Sequence, residues 1–214
     1  MKKLLVLLTL CFSLLRANAQ TLPPSNMDVF DGCGMDGTAK GASLKKLNQL
    51  KNRYTAPSAS KLNHSITLAA LLAPGNDTKR WSSASAAEVT GYVIEVLPGG
   101  PETVNCGKKD LIHADTHIDL VLTPTASSGS QRVIVEVTPR MRAIMRANGT
   151  DWSTTTLRKK ILHKWIKVRG LMLFDTQHPN AAENTNPGGT KNWRATAWEI
   201  HPITSLQVVP APAH

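Results

Sequence analysis

The stretch Leu111-Ile-His-Ala-Asp-Thr-His-Ile-Asp-Leu-Val-Leu122 constrains this chain more than any other. His113, Asp115, His117 and Asp119 fall on every second residue, and Ile118, Leu120 and Leu122 fill alternate positions. Successive side chains of a β-strand point to opposite faces, so the segment reads as a strand with one ionisable and one apolar face. Such a row of imidazoles and carboxylates can ligate a metal, transfer protons or hold the fold together.

The surrounding pattern supplies the rest of a sheet. Strands are expected at Val89–Leu97, Asp115–Thr123, Arg132–Thr138, Trp165–Phe174 and Ala195–Val209, the last interrupted at Pro202. The turn Pro98-Gly99-Gly100-Pro101 follows the first strand, and the loop Pro124–Ser130 joins the second to the third. Thr138-Pro139 places an N-cap residue before a proline suited to the first helical position, and Asn148-Gly149 ends that helix. A further helical stretch, Ser153–Leu162, sets Leu157 and Ile161 against Arg158, Lys159 and Lys160. The order β-β-β-α-β-β is the plan of an OB-fold, a five-stranded, partly open Greek-key barrel. A small α+β sandwich is the alternative. Barrel closure would turn Ile118, Leu120 and Leu122 inward and Asp115, His117 and Asp119 outward.

Residues 1–19 read as a signal peptide: Lys2 and Lys3, an apolar run Leu4–Leu15, and the small residues Ala17-Asn18-Ala19 at the cleavage position. The run is too short to span a bilayer, and no later stretch is long enough, so the product is expected to be exported, periplasmic or secreted, without a transmembrane segment. Residues 20–87 form an N-terminal extension, partly disordered with short helices, and residues 88–209 the barrel domain. Within the extension, Leu44, Leu47 and Leu50 predict a basic amphipathic helix over Ser43–Tyr54, ended by Pro57, and Leu62–Leu72 is a short apolar stretch. Removal of the leader, which contains Cys11, leaves Cys33 and Cys106. In an oxidising compartment two cysteines most simply form one disulfide, and their spacing does not suit a metal site.

Lysine and arginine number 25 against 15 acids. The excess gathers between Arg140 and Arg169, with a second basic stretch from Lys40 to Lys61. Such a patch can attract an anionic polymer, nucleic acid or polysaccharide, and is more simply a solvated helix face. Nucleophile-elbow and phosphate-cradling glycine motifs are absent from the sequence.

Chemistry therefore rests on dispersed residues. On their strands Glu199 and His201 share a face opposite Trp198 and Ile200, and Glu136 stands alone within the apolar Val133-Ile-Val-Glu-Val137. In a small barrel His117, Glu136, Glu199 and His201 can converge, giving catalytic candidates for a metal-dependent, nuclease-like hydrolase. His117, His201 and Glu199 are then candidate ligands for a divalent metal such as zinc. A ligand-binding face would draw on Asp115, His117, Asp119, Asp175, His178 and Arg194. The structural alternative pairs Glu136 with an arginine (Arg140, Arg169 or Arg194) and links His201 and Glu199 across strands to Asp119 or His117. Trp165, Trp193 and Trp198 are expected to pack in the core or at its edge. Three functions remain open: a binding module for an anionic ligand or polymer, a metal-dependent hydrolase, and a structural protein of the envelope.

Several motifs also carry a resemblance. Leu68-Ala-Ala-Leu-Leu-Ala-Pro-Gly75, Asp115-Thr-His-Ile118, Val133-Ile-Val-Glu-Val-Thr-Pro139, Asp151-Trp-Ser153 and Asn192-Trp-Arg-Ala-Thr-Ala-Trp-Glu-Ile-His-Pro202 make the chain similar to a family of uncharacterised exported bacterial proteins. The likeness runs from about residue 65 to 208. It implies export and brings no activity with it.

Overall fold

A computed structural model describes residues 26–126 and 129–212; the expected signal segment, 1–19, lies outside them. Five strands, β1 (Ala86–Pro98), β2 (Thr116–Val121), β3 (Val133–Val137), β4 (Trp165–Phe174) and β5 (Trp198–Val208), close into a barrel in the order β1-β2-β3-β5-β4. All neighbours are antiparallel except β3 and β5, which meet in parallel at Val135 and Ile200. The molecule is mainly β and OB-like, as the strand order predicts.

Alternation decides what fills the barrel. Ile118 and Leu120 of β2, Val133, Val135 and Val137 of β3, Ile166 and Val168 of β4, and Trp198 and Ile200 of β5 are all buried in one apolar cluster. β-Branched residues suit this pleated interior, where their stiff side chains lose little freedom. Leu122 was expected among them, but β2 ends at Val121 and Leu122 is exposed. Two helices lie between β3 and β4: α3 (Pro139–Ala147), capped by the Thr138 hydroxyl accepting from the Met141 N–H, and α4 (Thr154–Ile161), capped by Ser153. Met141, Leu157 and Ile161 complete the core. Pro202 coincides with a register shift between β4 and β5. Gly170 faces it, where a Cβ would stand 2.3 Å from the Pro202 carbonyl oxygen, so only glycine fits.

Residues 26–85, of which Ile66, Leu68 and Leu71 join the barrel's apolar core, precede the strands. They carry two short helices, α1 (Ala42–Lys51) and α2 (Leu68–Leu72). Helix α1 stops at Lys51, short of the expected Tyr54. Its buried face is Leu47, Asn48 and Lys51 rather than a leucine stripe. The polar members of that face find partners: Asn48 donates to the Asp36 carbonyl at 2.8 Å, and Asn52, just beyond the helix, donates to the Met35 carbonyl at 2.9 Å. The segment is held by the disulfide Cys33–Cys106 and by Arg140, which donates to the Met27 and Cys33 carbonyls and to the Asn52 side chain. Arg142 likewise donates to the Ile112 and Ala114 carbonyls. Arg140 and Arg142, expected on a solvated basic face, are therefore buried bolts, whereas Arg146, Arg158, Lys159, Lys160 and Lys164 of that segment are exposed.

Candidate metal centre

Outward positions of β2, β3 and β5 bring the expected polar groups together. Register pairs His117 with Glu136 across β2 and β3, and the single β3–β5 bridge at Val135 and Ile200 sets Glu136 beside Glu199 and His201. Asp115 sits one residue before β2. These residues lie on the barrel's exterior, as alternation requires, but not in water. The segment carrying Lys51 and the turn Glu102–Cys106 cover them, and Asp115, Glu136, Glu199 and His201 are all buried.

Donor atoms of Asp115, Glu136 and His201 lie within 4.8 Å of one another. His201 Nδ1 is hydrogen-bonded to Glu199 Oε2 at 3.3 Å and stands 3.2 Å from Glu136 Oε2. On the other side of the ring, Nε2 is 3.8 Å from Asp115 Oδ2. His117 Nε2 is 3.2 Å from Glu136 Oε1, close but without hydrogen-bond alignment. Asp115 Oδ2, Glu136 Oε2, His117 Nε2 and His201 Nε2 are consequently buried atoms with no hydrogen-bond partner among the described residues. Each unmade bond of this kind costs on the order of 1–3 kcal/mol, and four in one place call for an explanation.

Electrostatics sharpen the point. Burial, followed by the neighbouring charges of Glu199 and Asp115, pushes the Glu136 carboxyl well up. Burial also raises Asp115, against the attraction of His201. Glu199 behaves in the opposite way: burial would raise it, but the hydrogen bond with His201 and the charge of Arg194 hold it down as a carboxylate. Burial lowers His117. Lys51 is buried too, and burial alone would lower it; Glu102, Glu136 and Glu199 instead drive it up and keep it an ammonium. The face thus crowds several acids together out of water, and burial works against the charged forms of Asp115 and Glu136.

Glu136 meets two histidines and no arginine. The expected guanidinium partners are engaged elsewhere: Arg169 with Glu88, Arg140 with backbone carbonyls, and Arg194 with Glu199 and Asp175. Arg194 joins a second set to the first, since Asp175 Oδ2 also accepts from His178 Nδ1 at 2.7 Å, with His178 more than half exposed. Asp119 is not part of the cluster. It pairs with Arg132 at 3.2 Å, as does Glu95 at 3.3 Å, so His201 and Glu199 link to Asp115 and Glu136 rather than to Asp119. His113 lies apart as well, between Asp110 and Asp31. Trp198 is in the core against Phe174 and Trp165 packs edge-on to Tyr92, while Trp193 lies partly exposed beneath the Arg194 guanidinium.

Sequence reasoning missed Lys51 and Glu102. Lys51 falls four residues after Leu47 on the same helical face, which is the one signal that could have marked it. The charges that make its burial tolerable come from residues 50 to 150 positions away. No protein-family model and no curated protein matches this chain, so the reading of the site rests on its own residues.

Proposed function

We propose that this is an exported protein that holds one divalent metal ion of the zinc class between Asp115, Glu136 and His201, on the covered outer face of its barrel. The observation that carries the reading is the convergence of donor atoms of Asp115, Glu136 and His201 within 4.8 Å, in residues that each also hold a buried atom without a hydrogen-bond partner among the described residues. A mixed carboxylate and imidazole set suits zinc and its neighbours among first-row ions. Glu199 supports it in the manner of an outer partner, since a carboxylate bonded to one ring nitrogen of His201 orients the other toward the ion. A divalent charge would also offset the crowded acids Asp115, Glu136 and Glu199, whose charged forms burial disfavours. The leader-like residues 1–19 and the Cys33–Cys106 disulfide support export.

Burial favours a retained ion over a hydrolytic one. Hydrolysis requires a substrate oxygen to reach the metal, and His201, Asp115 and Glu136 are each no more than 2% exposed. A held ion relieves the acidic face and lets the N-terminal segment close over it. The test is equilibrium dialysis against zinc followed by elemental analysis. Wild type is expected to retain about one zinc per chain, and Glu136→Gln to lose affinity by about tenfold or more while its zinc-free form stays as stable as wild type, because glutamine imitates the protonated acid. Wild-type protein that emerges from dialysis without zinc would end the reading.

A further inference from the structure

The turn that precedes β2 places apolar side chains where a turn has no structural need of them. Leu111 and Ile112 are adjacent in sequence and 61% and 59% exposed. They are nevertheless held in place. Asp110 Oδ1 accepts from the Ile112 N–H at 3.0 Å, and Arg142 donates to the Leu111 and Ile112 carbonyls at 3.3 and 2.8 Å. Turns are ordinarily built from small polar residues, so two large apolar ones fixed in water gain nothing from the fold.

These side chains form one wall of a cavity of about 480 Å³. The facing wall includes Pro139, Ala143 and Ala147 of α3. Their four-residue spacing sets them along one ridge of the helix, and small side chains on that ridge leave the recess. One end of the cavity is basic, with Arg142, Arg146 and the first turn of α4 in its lining. Arg142 is 5% exposed, and its partners are the carbonyls of Leu111, Ile112, Ala114 and Trp152 and the Thr116 hydroxyl, with no carboxylate among them. Arg146 is exposed and forms no ion pair among the described residues. Asp151, which feels the Arg146 charge, gives its oxygens to Ser153 and Thr156 and does not line the cavity.

We propose that this cavity binds an amphipathic monocarboxylate, a fatty-acid-like molecule. Its chain lies between Leu111 and Ile112 on one side and Ala143 and Ala147 on the other, and its carboxylate pairs with Arg146. A recess of this volume, apolar along its length with charged groups at one end, has the usual form of a small-ligand site. A planar guanidinium takes a carboxylate through two parallel N–H donors, and the Arg142 charge behind it has no acid to cancel it. The inference goes beyond the metal reading and does not depend on it.

Calorimetric titration of the full chain with decanoate, decanol and decyltrimethylammonium, each below its micelle concentration, tests the site. Wild type is expected to bind about one decanoate per chain, decanol about tenfold more weakly, and the cation not at all. Arg146→Gln is expected to bring decanoate down to the level of decanol while leaving decanol within about twofold of wild type. Ala143→Phe, which refills the ridge, is expected to weaken both by about tenfold or more. Wild type that binds no decanoate, that binds decanoate and decanol equally, or that is matched by Arg146→Gln would overturn the proposal. A wild-type dimer in sedimentation that Ala143→Phe converts to monomer would overturn it as well, because the recess would then be an interface between copies.

Discussion

Glu88 and Glu136 occupy equivalent places on opposite sides of one barrel. Each is an outward glutamate between inward apolar residues, and each faces a basic side chain on the adjacent strand: Arg169 for Glu88, His117 for Glu136. Glu88 accepts from Arg169 at 2.7 and 2.9 Å and is one-third exposed. Water shares the work of solvating that pair. Glu136 is covered by the N-terminal segment, has two imidazoles and no arginine, and carries a carboxyl pushed far up by burial and by Glu199 and Asp115. The same strand pattern therefore yields an ordinary surface ion pair on one side and an acid-rich buried cluster on the other. The difference lies in what packs over the strand, since taking charge out of water raises every electrostatic stake.

Three substitutions sharpen this contrast. The largest effect is expected at the edge of the covered cluster. Arg194→Met leaves Asp175 and Glu199 buried without their guanidinium, and denaturant titration should show a loss of about 3–5 kcal/mol. Unchanged stability would mean that these carboxylates find other partners and that the covered face tolerates unpaired acid.

Asp119 probes an intermediate case, half-way around the same face. Burial pushes its carboxyl up to about 6, outweighing the attraction of Arg132. A carboxyl raised in the folded state favours folding most below its unfolded value, near 3.9, and that contribution is lost as pH rises through 6. Asp119→Asn should remove this slope, so that the variant gains on wild type between about pH 4 and 6 and ends about 1–3 kcal/mol more stable at neutral pH. Parallel stability curves for the two proteins across that window would show that Arg132 compensates the buried charge in full. The smallest effect belongs to the open side. Glu88→Gln should change the unfolding free energy by less than about 1 kcal/mol, and less still in high salt. A loss comparable to that of Arg194→Met would erase the distinction between the two sides.

Local pattern carried much of the fold. The fourth strand runs from Trp165 to Phe174 as period-two alternation predicts, and α3 begins at Pro139 behind the Thr138 cap. The pairing of Cys33 with Cys106 also followed from chain chemistry, because the two cysteines left after the expected leader have few alternatives in an oxidising compartment. The candidate site was legible in part. His117, Glu136, Glu199 and His201 could be placed on one side of their strands and do come together. Asp115, placed by alternation on the same face as His117, stands 3.8 Å from the His201 ring. Glu136 lacks the arginine expected of a buried acid, since each available guanidinium has nearer partners.

Residue order alone thus determined which side chains share a sheet face: successive residues of a strand must point in opposite directions, and that rule needs no knowledge of neighbours. Tertiary structure alone decided whether that face meets water. The cover is built from residues distant in the chain, Cys33, Lys51, Asn52 and Glu102 among them, and their position depends on a disulfide and on buried arginine contacts that no local period encodes. A strand's alternation reads the same beneath solvent or beneath protein, and the energies of its charged groups do not.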